Sequence, residues 1–233
     1  LLIIIQIKYS FIKIEINIIY FINNYMDQTK IMNLYKLGNV EELIKNINIY
    51  NNYRIIKNKN NFAFCWCCRN GYLEMAKWLL EVKPDINIAE EDYFCFLEAC
   101  CNGHIEVVKW LLDIIKNDIF DSLYEYGFSM ACCAGHLEMA KFLYNIKQII
   151  IKPIYEDSFY YACENGHLEV AKWLLDIFPT IDISVVNEAA FVNSCENNHL
   201  EVAKWLHTFN SEKYDIESVD NKIISYKKKK ISN

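Results

Sequence analysis

Ten cysteines and five histidines are the residues of this chain best equipped for chemistry, and their spacing decides which chemistry is open to them. Cysteine doublets stand at Cys67-Cys68, Cys100-Cys101 and Cys132-Cys133; His104, His136 and His167 each follow a glycine, and His199 follows Asn198. Thiols and imidazoles in such numbers suit a zinc site or a redox pair. Ligands must converge on one point, however, whereas these residues recur at a fixed interval. If that interval is one structural unit, equivalent cysteines lie on helices about 8 to 10 Å apart. A disulfide needs Cα atoms within about 7 Å, and zinc needs each sulfur at about 2.3 Å. The doublets are therefore expected in the core as small apolar side chains. Tyr72 fills the histidine position in one unit, a replacement no ligand set tolerates. His207 lies outside the interval and reads as a surface residue. Six glycines in 233 residues leave little material for a phosphate-cradling loop, and no zincin pair or nucleophile elbow is present. No catalytic residue, metal or cofactor is assigned.

The interval itself is the strongest pattern. Gly71, Gly103, Gly135, Gly166 and Asn198 are separated by 32, 32, 31 and 32 residues. Seven residues before each stands Phe64, Phe96, Phe128, Phe159 or Phe191, and three before each stands Cys68, Cys100, Cys132, Cys163 or Cys195. Seven after comes an aromatic, Trp78, Trp110, Phe142, Trp173 or Trp205, each preceded by a lysine, and a glutamate lies three after the turn residue. Apolar residues at helical spacing on both sides of the glycine predict two short helices per unit, joined at a left-handed turn. A helix of about ten residues cannot bury its apolar face alone, so such units must stack.

Gly166-His-Leu-Glu-Val-Ala-Lys-Trp-Leu-Leu175, preceded by Ala162-Cys163-Glu164-Asn165, resembles the ankyrin repeat, and the wording recurs at Gly103–Leu112 and Gly135–Leu143. The Lys-Trp-Leu phrase and a strong Ile/Asn/Lys bias are similar to ankyrin proteins encoded by large DNA viruses of protists. The resemblance implies an all-α solenoid of about six helix-turn-helix repeats over residues 30–209, in units 30–60, 61–92, 93–124, 125–155, 156–187 and 188–209. A degenerate first unit is read from Gly38–Ile44. The resemblance also implies that the turn histidines hydrogen-bond to backbone across the turns. Departures from the family pattern are local. Asp92, Tyr124, Tyr155 and Asn187 replace the glycine of the family's hairpin tip, so loops are expected in place of regular β-fingers, with positive φ disfavoured. Asp157 stands where the family has its helix-capping threonine.

The chain outside the repeats is read separately. Residues 1–29 are Ile- and Asn-rich and are expected to lie outside the fold. A membrane anchor through residues 1–22 is the alternative, but Lys8, Lys13 and Glu15 each oppose insertion by roughly 2.5 to 3.5 kcal/mol. Residues 210–233 read as a half repeat or a polar basic tail, with Lys227–Lys230 as a solvated end of the stack. The net charge of −6 argues against nucleic-acid binding. Many cysteines without a secreted-scaffold pattern point to a reducing, cytoplasmic setting, and the chain is read as a monomer.

Positions that stay the same between units serve the stack; those that change are free to serve a partner. Five residues before each turn stand Trp66, Glu98, Met130, Tyr161 and Asn193. One per unit at the same helical phase, they are expected to form a ladder on the concave side. Predicted loop residues Glu90, Glu91 and Asp92, then Tyr124, Glu125 and Tyr126, with Tyr155 and Glu156 after them, add acid and tyrosine. Tyrosine and tryptophan give large contact area, and acidic groups steer cations. The expected partner is a protein or peptide carrying Lys or Arg.

Overall fold

A computed structural model describes residues 33–35, 37–48, 59–115, 121–147, 152–181, 183–209, 214–219 and 222–228. The candidate membrane anchor at residues 1–22 and the last lysines, Lys229 and Lys230, lie outside them. After the turn at Gly38, α1 runs Val40–Asn48. Five helix pairs follow: α2 (Lys59–Arg69) with α3 (Leu73–Val82), α4 (Glu90–Cys101) with α5 (Ile105–Ile115), α6 (Asp121–Cys133) with α7 (Leu137–Lys147), α8 (Lys152–Glu164) with α9 (Leu168–Ile177), and α10 (Ile183–Glu196) with α11 (Leu200–Phe209). The even-numbered helices form an inner row, each packed on the next, and each also packs on its own outer, odd-numbered partner. The repeat stack is all-α, as its periodicity predicts.

One device joins every inner helix to its outer partner. Gly135 N donates to Cys132 O at 3.2 Å and His136 N to Ala131 O at 2.8 Å, the paired bonds of a Schellman turn that satisfy carbonyls left over at a helix end. The same two bonds recur at Gly71, Gly103, Gly166 and Asn198. All five turn residues have φ between 62 and 83°, which explains why only glycine or asparagine stands there. The degenerate first unit keeps this turn at Gly38, and Asn39 Oδ1 accepts from Glu42 N at 3.1 Å, capping α1.

The core is a column that runs the length of the stack. Phe64, Phe96, Phe128, Phe159 and Phe191 are at most 2% exposed, and Cys68, Cys100, Cys132 and Cys163 are fully buried. The periodic aromatic of the outer helix reaches back one unit: Trp110 lies 6.0 Å from Phe64, Trp173 6.1 Å from Phe128, and Trp205 6.2 Å from Phe159. Each outer helix thus seals the unit before it. The repeated Glu and Lys pair on the solvent face of their own helix, as in Glu106–Lys109 at 2.7 Å and Glu169–Lys172 at 3.0 Å.

The structure differs from the sequence reading in two respects. Residues 90–92, 124–126 and 155–156, expected in loops, lie in the inner helices α4, α6 and α8. Without a hairpin-tip glycine to stop it, each of these three inner helices runs on toward its N-terminus. Asp157 accordingly sits inside α8 and caps nothing. The second difference lies at the C-terminus, where β1 (Tyr214–Val219) and β2 (Lys222–Lys228) pair antiparallel, Tyr214 opposite Lys228. β1 lies against α11 and β2 against α10, so the segment read as a half repeat or tail is a strand pair on the last unit.

Candidate functional site

The turn histidines face the preceding unit. A Cβ built on Gly71 would lie 2.6 Å from His104 Nδ1, and one on Gly135 would lie 2.4 Å from His167 Nδ1. His104, His136 and His167 hydrogen-bond to the backbone of Arg69, Cys101 and Cys133 respectively. Burial lowers the pKa of all three below the usual 6.5, and the backbone bond only partly offsets it. These rings therefore stay neutral near pH 7 and clamp each helix end to the next turn. The periodic cysteines are equally structural: burial raises the thiol pKa of Cys100, Cys132 and Cys163, keeping them protonated.

The chain's varied positions fall into two groups. In the first two full units they are closed. Trp66 is 7% exposed, with its ring 5.4 Å from that of Tyr72. Glu98 is 9% exposed and pairs through Oε2 with Arg69 Nη1 at 3.4 Å, a salt bridge between units whose side chains are 10% and 12% exposed. The expectation that both stand on an open ladder is corrected: α2 and α4 approach closely enough to cover them. Met130, Tyr161 and Asn193, in the later units, remain partly accessible. Asn193 Nδ2 donates to Tyr160 Oη and, at 3.1 Å, to Glu164 Oε1.

The residues expected in loops are also part closed and part open, but not by unit. Tyr124 is 8% exposed, with Lys147 Nζ 5.2 Å from its ring centre, and Tyr155 is 6% exposed, stacked on Phe178 at 4.1 Å. Tyr126 is exposed, Glu125 and Glu156 are half-buried, and Asp92 is exposed at the start of α4, where Glu90 and Glu91 also lie. Positive φ, expected to be disfavoured at the old hairpin tip, is found at Asp92 (56°) and at Tyr93 (62°).

The helical pairs, the Schellman turns and the histidine clamps recur in one register. A family model described as Ankyrin repeats (3 copies) matches residues 30–121, 96–187 and 128–220. The chain belongs to the ankyrin-repeat family. No curated protein matches it. Ankyrin repeats are in general protein–protein interaction modules, and the inner helices are where this chain varies most from unit to unit. No described helix is long and apolar enough to cross a membrane.

Sequence reasoning missed an acidic cluster on α8. Asp157, Tyr161 and Glu164 stand at i, i+4 and i+7, one helical face. Burial first, then the carboxylates of Asp157 and Glu164, push the Tyr161 hydroxyl up to about 12. The Asp157 carboxyl is raised by burial and by Glu156, and Glu125 is raised by burial and by Asp121. Burial is the largest cause of all three shifts, and neighbouring carboxylates add to it in each. The helical spacing was visible in the sequence, but reading 155–156 as loop hid the face.

Proposed function

We propose that this ankyrin-repeat protein is a non-catalytic interaction module that takes up a protein or peptide segment carrying Lys or Arg. It does so as a monomer inside the cell. The contact surface is the inner-helix face of the later units, built from Met130, Tyr161 and Asn193 with Glu125, Tyr126 and Asp157. The observation that carries this reading is the acid and tyrosine cluster around Tyr161, where the Asp157 and Glu164 carboxylates on the same helical face add their repulsion to burial in raising the Tyr161 hydroxyl. A cationic side chain placed there would relieve that repulsion, and the tyrosine rings offer area at small entropy cost. Glu90, Glu91 and Asp92 extend the acidic character to the start of α4.

A displayed random-peptide library panned against the full chain at low salt tests this. Peptides rich in Lys or Arg should be enriched. Their binding should weaken by roughly tenfold in a variant combining Met130→Ala, Tyr161→Phe and Asp157→Asn, with helical circular dichroism unchanged. Enrichment of acidic peptides, or of peptides indifferent to the variant, overturns the reading.

A further inference from the structure

An apolar row crosses the ends of the outer helices. Val82, Ile114, Ile146, Ile177 and Phe209 each stand eleven residues after the turn residue of their unit, in the last turn of α3, α5, α7, α9 and α11. Val82, Ile114, Ile146 and Phe209 are 42%, 39%, 42% and 45% exposed, and Ile177 is half-buried. Among the described residues, the other exposed large hydrophobic side chains are Leu37 and Tyr126. Single exposed apolar residues are ordinary, but a row of them in one register asks for a cover. Neighbouring helices lie about 8 to 10 Å apart, so the row is roughly 32 to 40 Å long and one side chain wide. A stable dimer interface covers about 800 Å² on each partner, far more than a single file of half-covered side chains offers. An extended segment of chain has the matching shape.

Residues 1–22 have the composition of such a segment: ten are Ile, and Leu, Phe and Tyr supply two each. The described chain begins at residue 33, and Tyr35 lies 5.4 Å from Trp78 on α3, one helical turn before Val82. Lys83, next to Val82, pairs with Glu41 of α1 at 2.5 Å. The residues before 33 therefore enter beside the near end of the row. At about 3.3 Å per residue, residues 23–32 bridge up to roughly 33 Å, and the twelve residues 11–22 cover the full length of the row. Charge agrees with this placement. Glu81, Asp113 and Asp176 each precede a member of the row and are exposed, whereas Lys83 and Lys147, which follow members of it, are already paired with Glu41 and Asp121. Lys8 and Lys13, which oppose entry into a bilayer, are matched by carboxylates here.

We infer that residues 1–22 of this chain are the cover of the row, a strap laid across the outer-helix ends from Val82 toward Phe209. One contact then removes two apolar surfaces from water, that of the segment and that of the row. The inner-helix face stays open, so the strap and the proposed peptide surface are independent of one another.

The test uses the full chain and trypsin, which cuts after Lys8 and Lys13 where they are accessible. Cleavage at both should be slow in the wild type and about tenfold faster in a variant combining Ile114→Gln and Ile146→Gln, with helical circular dichroism unchanged because both side chains lie outside the core. In a second measurement, p-benzoylphenylalanine takes the place of Ile114; irradiation should link it to peptides within residues 1–22 of the same molecule, in a yield independent of protein concentration. Equal cleavage rates in wild type and variant, fast or slow, overturn the inference, as do cross-links that land elsewhere. Protection that grows with protein concentration assigns the row to a second copy, and protection that appears only with phosphatidylcholine vesicles assigns the segment to a membrane; either result overturns the strap.

Discussion

The boundary between α2 and α4 and the boundary between α8 and α10 are built on one register and put to opposite uses. At the first, the changeable position is closed: Glu98 is buried against Arg69, and Trp66 lies beside Tyr72. At the second, Tyr161 and Asn193 stay partly open among carboxylates. The Phe core, the Schellman turn and the histidine clamp are common to both. A position that varies between repeats is thus not thereby a contact position; variation also allows a unit to acquire its own internal lock.

The largest effect that would sharpen this contrast is expected from Glu98→Ala. It leaves the Arg69 guanidinium at a site where both side chains are nearly covered. Removing one partner of a buried pair typically costs about 3 to 5 kcal/mol, and the residual exposure places this case at the lower end. Asn193→Ala, at the matching position of the other boundary, should cost only about 1 kcal/mol, since its hydrogen bonds are half-exposed. Urea denaturation followed by far-UV circular dichroism measures both. Equal losses would mean that the two boundaries do not differ in kind.

Next in size is the turn itself. Gly135→Ala introduces a Cβ 2.4 Å from His167 Nδ1 at φ +81°, whereas at Gly38, φ +67°, nothing lies within 4 Å. Both substitutions carry the left-handed penalty of roughly 1 kcal/mol, but only Gly135→Ala also displaces the clamp. A total of about 2 to 3 kcal/mol is expected for Gly135→Ala against about 1 for Gly38→Ala. The same thermal or urea melts apply, and an equal cost at the two sites would remove the clamp from the account.

The clamps also set a pH dependence. The folded pKa values of His104, His136 and His167 are lowered from 6.5, so the unfolded chain binds more protons and stability rises with pH. The contribution is fully present above pH 6.5 and is lost as pH falls through that value toward the folded pKa values. Melting midpoints measured from pH 7.5 downward should decline through this window, and His136→Asn should flatten the decline. A rise in stability on acidification through the same window would mean that the rings are charged in the fold.

Much of this was legible in the sequence because packing and turns are read from spacing. Gly135, Phe128 and Cys132 announce a turn, a core and a helix face by position alone, and the structure puts them there. The site was less legible. Whether Glu98 faces solvent depends on Arg69, which is not periodic, and on the close approach of α2 and α4. The start of each inner helix was misread because residues 90–92 and 124–126 look like polar loop, and only packing decides that they are helical.

The smallest expected effect bears on the meaning of invariance. Lys172 and Glu169 recur in every full unit, yet their side chains are 43% and 73% exposed and meet only each other, at 3.0 Å. An exposed pair one helical turn apart contributes about 0.2 to 0.5 kcal/mol. Lys172→Ala should therefore leave the melting midpoint almost unchanged, and raising the salt concentration should erase what difference there is. Phe159→Ala, equally periodic but fully buried, should cost roughly ten times as much. If Lys172→Ala instead cost as much as Asn193→Ala, the outer face would hold energy that its exposure does not account for, and the division between a buried structural core and an open surface would have to be drawn further out.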